Sequence, residues 1–166
     1  GTATAIQYEK KSKKLSFFAF GTDGNGCKNL IYNSSGINDS NKKKYLEMDG
    51  AKIFEFALEE VPIQIKKLLS KSKNSINSID YFVFHQANKF MLNALGKKLG
   101  LPKEKVMYSI DRFGNTNSAS IPITLSENLK KKNNLKILIS GFGVGYSWAS
   151  AIINLHKPKF DSLQKI

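Results

Sequence analysis

Apolar residues recur along this chain in two rhythms, and the switches between them lay out an alternating α/β order. Residues 1–8 alternate in the manner of a strand. Residues 15–20 (Leu-Ser-Phe-Phe-Ala-Phe) form a second strand, closed by the glycine-rich turn at 21–26. A lysine-rich stretch at 10–14 joins the two as a hairpin, and the polar residues 33–44 read as an exposed loop. From Asp49, a suitable N-cap, the rhythm changes: Ile53, Phe54, Ala57, Leu58, Val61, Ile65, Leu68 and Leu69 recur at helical spacing. Pro62 falls inside that pattern, so a kink or a break into two helices is predicted there.

The run Tyr81-Phe82-Val83-Phe84 is a short buried strand, and residues 88–99 form the next helix, with Gly100 at its end and Pro102 beyond. Residues 105–110 read as a strand. Residues 117–131 read as a helix with Ile121, Leu125 and Leu129 on its apolar face. A buried strand at 135–140, a glycine-rich loop at 141–145, a returning strand at 146–155 and a short tail complete the chain. The order β-β-α-β-α-β-α-β-β predicts one mixed sheet flanked by helices, without internal repeats.

A length of 166 residues with 41% hydrophobic positions suits one domain with a real core. No apolar run reaches the length of a membrane span, and the first residues lack the pattern of a signal peptide. The single cysteine, Cys27, cannot form an internal disulfide, which fits a reducing cytoplasm. With only His85, His156 and Cys27 as soft ligands, metal-ligand spacing is missing. The net charge of +13 raises a nucleic-acid partner, but Arg112 is the only arginine and the lysines are scattered. Base and phosphate readers rely on arginine forks with interleaved aromatics, so solvated lysine faces are the better reading. Such a surface still attracts an acidic protein partner by long-range steering.

The chemistry concentrates in three segments. His85-Gln86-Ala87-Asn88 follows directly on the aromatic strand, which puts polar side chains at its carboxyl end, where α/β proteins form their functional crevice. Asp111-Arg112-Phe113-Gly114-Asn115-Thr116-Asn117-Ser118-Ala119-Ser120-Ile121-Pro122 is the second, and Gly141-Phe142-Gly143-Val144-Gly145-Tyr146-Ser147-Trp148 the third. In this order and spacing the three resemble the C-terminal half of the β-ketoacyl-acyl carrier protein synthase III family, and the resemblance extends from Gly1 to Leu155.

The resemblance implies a three-layer α/β fold: one thiolase-like half, with a mixed sheet flanked by helices. Residues 1–166 would then be the C-terminal half-domain of a condensing enzyme whose N-terminal half carries the nucleophilic cysteine. The implied reaction is decarboxylative Claisen condensation of an acyl thioester or acyl-CoA with malonyl-acyl carrier protein, with no cofactor. His85 and Asn115 match the pair that stabilises the thioester enolate. A neutral imidazole and an amide suit that task, because they donate without adding a full charge. Gln86 and Asn88 stand behind the histidine; Asn88 reads equally as a helix cap.

Gly143, Val144 and Gly145 match the loop whose backbone amide completes the oxyanion hole. Many members have three successive glycines there, so the donor here is the Val144 N–H. Phe54 and Phe142 match aromatics that line the tunnel and read equally as core packing. Members often carry an arginine two residues after the Asn88 position. Here that residue is Phe90, which leaves Lys89, with Arg112 either docking carrier protein or bracing its own loop. Cys27 sits in a turn and not at a strand–helix elbow, so it is an incidental residue and the chain alone is expected to be inactive. The implied whole is a homodimer completed by its own N-terminal half, whose loss would uncover an apolar face including Ile121 and Leu125. Two alternatives stay open: a related condensing or acyl-transfer enzyme of glycolipid or polyketide synthesis, and a non-catalytic dimerisation module.

Overall fold

The computed structural model describes residues 1–6, 15–32, 45–129, 133–156 and 158–160. Among the described residues there are six strands: β1 (Phe17–Thr22), β2 (Leu30–Tyr32), β3 (Leu46–Met48), β4 (Tyr81–Phe84), β5 (Leu135–Gly143) and β6 (Ser147–Leu155). The α-helices are α1 (Gly50–Lys71), α2 (Lys89–Leu99), α3 (Ile110–Phe113) and α4 (Ser120–Asn128). One sheet runs in the order β1-β6-β5-β4, with β4 and β5 parallel and the other pairs antiparallel. The predicted mixed sheet flanked by helices is therefore observed.

Alternation along β4 divides the interior. Phe82 and Phe84 point into the larger core, where they meet Val61, Ile65 and Leu68 of α1, Leu92 and Leu95 of α2, and Leu138 and Ile152 of the sheet. Val83 points the other way, to Met107 and Leu129, with Ile121, Leu125 and Ile139 packed around them. Each buried aliphatic or aromatic side chain contributes roughly 1.5–3 kcal/mol, so the α1 face dominates the stability of the domain.

Local signals explain most boundaries. The Asp49 side chain accepts from the backbone N–H of Lys52 at 3.1 Å and starts α1. Asn88 accepts from Met91 N–H at 2.8 Å and starts α2, and Gly100, at φ 66°, ends it in the left-handed region. Pro62 does not divide α1, which stays one continuous helix of 22 residues. Its missing N–H and ring clash cost about 3 kcal/mol in a helix interior. The buried stripe of Val61, Ile65, Leu68 and Leu69 on either side of it outweighs that cost.

Several predicted elements differ. Residues 1–6 carry no ladder, and Ile6 is fully open to solvent; the remainder of that predicted strand and the 10–14 hairpin link lie outside the described residues. The 33–44 loop and the end of the tail also lie outside them. The ribbon of β2 and β3 has no counterpart in the sequence pattern, since strands of three residues are too short to show a period. Residues 105–110 form no strand beyond one parallel bridge from Val106 to Phe82, because the backbone N–H groups of Ser109 and Ile110 are taken by the Gln86 side chain. The 117–131 helix shortens to a 3₁₀ turn at Asn117–Ala119 followed by α4. The glycine-rich loop contracts as well, because β5 runs on through Gly143 and leaves a turn at 144–146.

The apolar exposure expected around Ile121 and Leu125 is found elsewhere. Both are partly buried against the sheet. Phe18 and Phe20 on β1, and Tyr32, Leu46 and Met48 on the ribbon, are among the exposed large side chains of the described residues.

Candidate active site

The parallel ladder of β4 and β5 delivers His85 to the carboxyl end of the sheet. Its backbone N–H continues the ladder by donating to the Ser140 carbonyl at 2.8 Å. The ring stands edge-on to Phe142, centroids 5.8 Å apart, and its Nδ1 lies 2.8 Å from Ser120 Oγ at the start of α4. A further hydrogen bond joins the ring to the backbone of Asn117. Burial pushes the imidazole below its ordinary value of 6.5, and the Asn117 bond opposes that shift only in part. His85 is therefore poised as a neutral ring near pH 7.

Gln86 turns inward and is wholly buried. Its amide nitrogen donates to the Phe84 carbonyl at 2.9 Å, and its oxygen accepts from the N–H groups of Ser109 at 2.9 Å and Ile110 at 3.2 Å. This latch ties the histidine turn to the segment leading into α3. Asn88 takes the cap role that its position allowed.

Asn115 comes to the same place from the other side. Gly114 turns the chain at φ 65°, a conformation that glycine adopts without strain. The Asn115 side-chain oxygen then accepts from the backbone N–H of Asn117 at 2.9 Å. The backbone of Asn117 thus bonds to both members of the pair, with its N–H to Asn115 and a second bond to the His85 ring. Thirty residues apart in sequence, the imidazole and the carboxamide share one anchor.

The remaining candidates have different surroundings. Phe142 is buried and touches the histidine ring, so it is part of the site. Phe54 stacks on Phe90 at 5.2 Å, at the start of α2. Gly143 ends β5, Val144 tops the turn with its side chain exposed, and Gly145 adopts φ 136°. That turn is clasped to the 21–29 loop: Asp23 N–H donates to the Tyr146 carbonyl at 2.9 Å, and the Tyr146 hydroxyl meets Asn29 Nδ2 at 2.7 Å. Lys89 is paired with Asp111 at 2.8 Å, and Arg112 with Glu127, so Arg112 braces α3 against α4. Cys27 is exposed in the 3₁₀ turn Gly24–Asn29.

Ser120 was missed by the sequence reading. The spacing puts it inside a helix over 117–131, whereas the 3₁₀ turn before it makes it the first residue of α4, facing His85. Among the described residues, no group of three or more His, Cys, Asp or Glu gathers as a metal site, and no helix is long and apolar enough to cross a membrane.

Residues 69–155, just over half the chain, match the family described as 3-oxoacyl-[acyl-carrier-protein] synthase III C terminal, and all three motif segments lie within that range. The chain belongs to this family. Among its relatives, β-ketoacyl-[acyl-carrier-protein] synthase III of Lactococcus lactis is 38% identical over 144 residues, covering 81% of this chain and 44% of the relative. The Streptococcus pyogenes protein of the same name is 36% identical over 165 residues, 93% of this chain and 51% of its own. The solved 3-oxoacyl-(acyl-carrier protein) synthase of Burkholderia xenovorans superposes with a TM-score of 0.81 at 41% identity, covering 86% of this chain and 45% of that one. The synthase III domain seen here has the thiolase-like architecture, and it spans about half the length of the relatives it matches.

Proposed function

We propose that this chain is the C-terminal catalytic-partner half of a 3-oxoacyl-[acyl-carrier-protein] synthase III-type acyltransferase, active when completed by an N-terminal half that supplies the nucleophilic cysteine. The observation that supports it is the shared anchoring of His85 and Asn115 on the Asn117 backbone at the carboxyl end of β4. In the proposed reaction, the bond between the malonyl carboxylate and its α-carbon breaks and carbon dioxide leaves. The electron pair remains as a thioester enolate, with its charge on oxygen. A neutral imidazole N–H and an amide N–H aimed at that oxygen stabilise it without the cost of desolvating a charged donor. The enolate carbon then attacks the acyl thioester on the cysteine, the new carbon–carbon bond forms, and the cysteine thiolate departs. The Val144 amide is the proposed donor to the acyl thioester oxygen.

The partners proposed with this reading are acyl carrier protein, an acyl-CoA or other acyl thioester, and a second copy of the complete protein as a homodimer in the cytoplasm. Carrier-protein docking is assigned to the exposed lysines around Lys89, itself paired with Asp111, while Arg112, paired with Glu127, braces its own loop. The test is His85→Ala in the complete protein, with release of carbon dioxide from the malonyl thioester as the readout. A loss of about a hundredfold or more is expected; decarboxylation at the unsubstituted rate removes the enzyme reading.

A further inference from the structure

Ser120 is buried at the first turn of α4, and its hydroxyl oxygen lies within hydrogen-bond distance of two partners. One is His85 Nδ1 at 2.8 Å; the other is the backbone N–H of Gln86, at 3.3 Å. The second contact constrains the first. An amide N–H can only donate, so the Gln86 bond occupies a lone pair on Ser120 Oγ and leaves the hydroxyl proton to be placed. The acceptor that the structure places beside that proton is His85 Nδ1, and the ring's bond to the Asn117 backbone, which raises its pKa and so is donated by the ring, then falls to Nε2–H. Were Nδ1 protonated instead, the serine oxygen would accept twice and its own buried proton would have no partner. A buried hydrogen bond left unmade is costly, which strongly favours one tautomer.

We propose that Ser120 is a positioning residue for His85: its hydroxyl donates to Nδ1, so the neutral ring carries its proton on Nε2. The assignment deepens the condensing-enzyme reading and rests on it for its purpose, because only a protonated Nε2 can donate to an enolate oxygen. The same contact orients the imidazole. Serine, α4 and the Gln86 backbone hold one edge of the ring, and Phe142 stands against it edge to face. A residue 35 positions away in sequence thereby decides which nitrogen is the donor.

The tautomer can be read directly by nitrogen-15 NMR of the histidine-labelled protein at pH 8, where the depressed ring is neutral. His156, exposed and bonded to Asn134, serves as an internal reference. The expected wild-type pattern is proton on Nε2 for His85. In Ser120→Ala at least a third of the population should shift to the Nδ1 form, and Ser120→Thr, which keeps the hydroxyl, should restore the original pattern. A wild-type ring protonated on Nδ1 overturns the proposal without any variant having to fold, and so does an unaltered pattern in a folded Ser120→Ala protein. In the complete enzyme, Ser120→Ala should lower kcat for malonyl decarboxylation about tenfold with KM unchanged, and threonine should recover it. The two readings fail separately. Full decarboxylation by His85→Ala sinks the reaction but leaves the tautomer standing, whereas a dead His85→Ala beside a fully active Ser120→Ala sinks the serine alone.

Discussion

The turn that carries His85 and the turn that carries Asn115 meet at Asn117, yet they are supported in different ways. The histidine continues a ladder in the sheet, its neighbour Gln86 is buried, and Asn88 caps the next helix. Asn115 is exposed, on a turn opened by Gly114, and its side-chain bond reaches only two residues along. One arm is set by the core of this domain. The other is set by local backbone. A domain that spans about half the length of its relatives fits that division, since the histidine arm is complete within it.

The largest effect expected in stability is therefore on the histidine arm. Gln86→Leu removes the acceptor for two backbone N–H groups and the donor to the Phe84 carbonyl, all in a dry interior. Leaving such groups unpaired should cost about 2–4 kcal/mol, measured by denaturant unfolding. A loss below about 1 kcal/mol would mean that the two arms are equally loosely held.

Much of this contrast was legible beforehand, for physical reasons that differ by residue. Asp49, Asn88 and Gly100 act within one helical turn, so their effect is written in neighbouring residues. The strand Tyr81–Phe84 showed because both of its faces are buried and its residues are uniformly apolar or aromatic. Ser120 did not show: its partner is 35 residues distant, and only the 3₁₀ turn before it brings the hydroxyl round to the histidine. The 105–110 segment has strand composition, but a side chain from elsewhere captured its donors. Long-range side-chain-to-backbone bonds were what sequence pattern could not supply.

Protonation tests the histidine arm more gently. The contacts of the His85 ring are Ser120, the Asn117 backbone and Phe142, none of them charged. Its folded-state value lies below the ordinary 6.5, so the unfolded chain binds the proton more readily than the folded one. The stability linked to this ring is therefore complete above about pH 6.5 and is lost as pH falls from there through the folded value. One titrating group limits the slope to about 1.4 kcal/mol per pH unit, and a partly exposed ring should show less. Unfolding curves from pH 8 to 5 should show this decline, and His85→Gln should flatten it. An equal decline in the variant would assign the effect to other groups.

The smallest change in stability belongs to Asn115. Replacing it with alanine deletes one exposed bond to the Asn117 N–H, a group that water can satisfy, so unfolding free energy should move by no more than about 0.5 kcal/mol. In the complete protein the same substitution should lower malonyl decarboxylation by about a hundredfold to a thousandfold, the usual consequence of removing one oxyanion donor. The two measurements together separate the arms. A residue that shapes the fold loses stability and activity in step, whereas a donor held out on a local turn loses activity alone. If Asn115→Ala destabilised the domain by as much as Gln86→Leu, its carboxamide would be a brace of the turn and not the partner of His85.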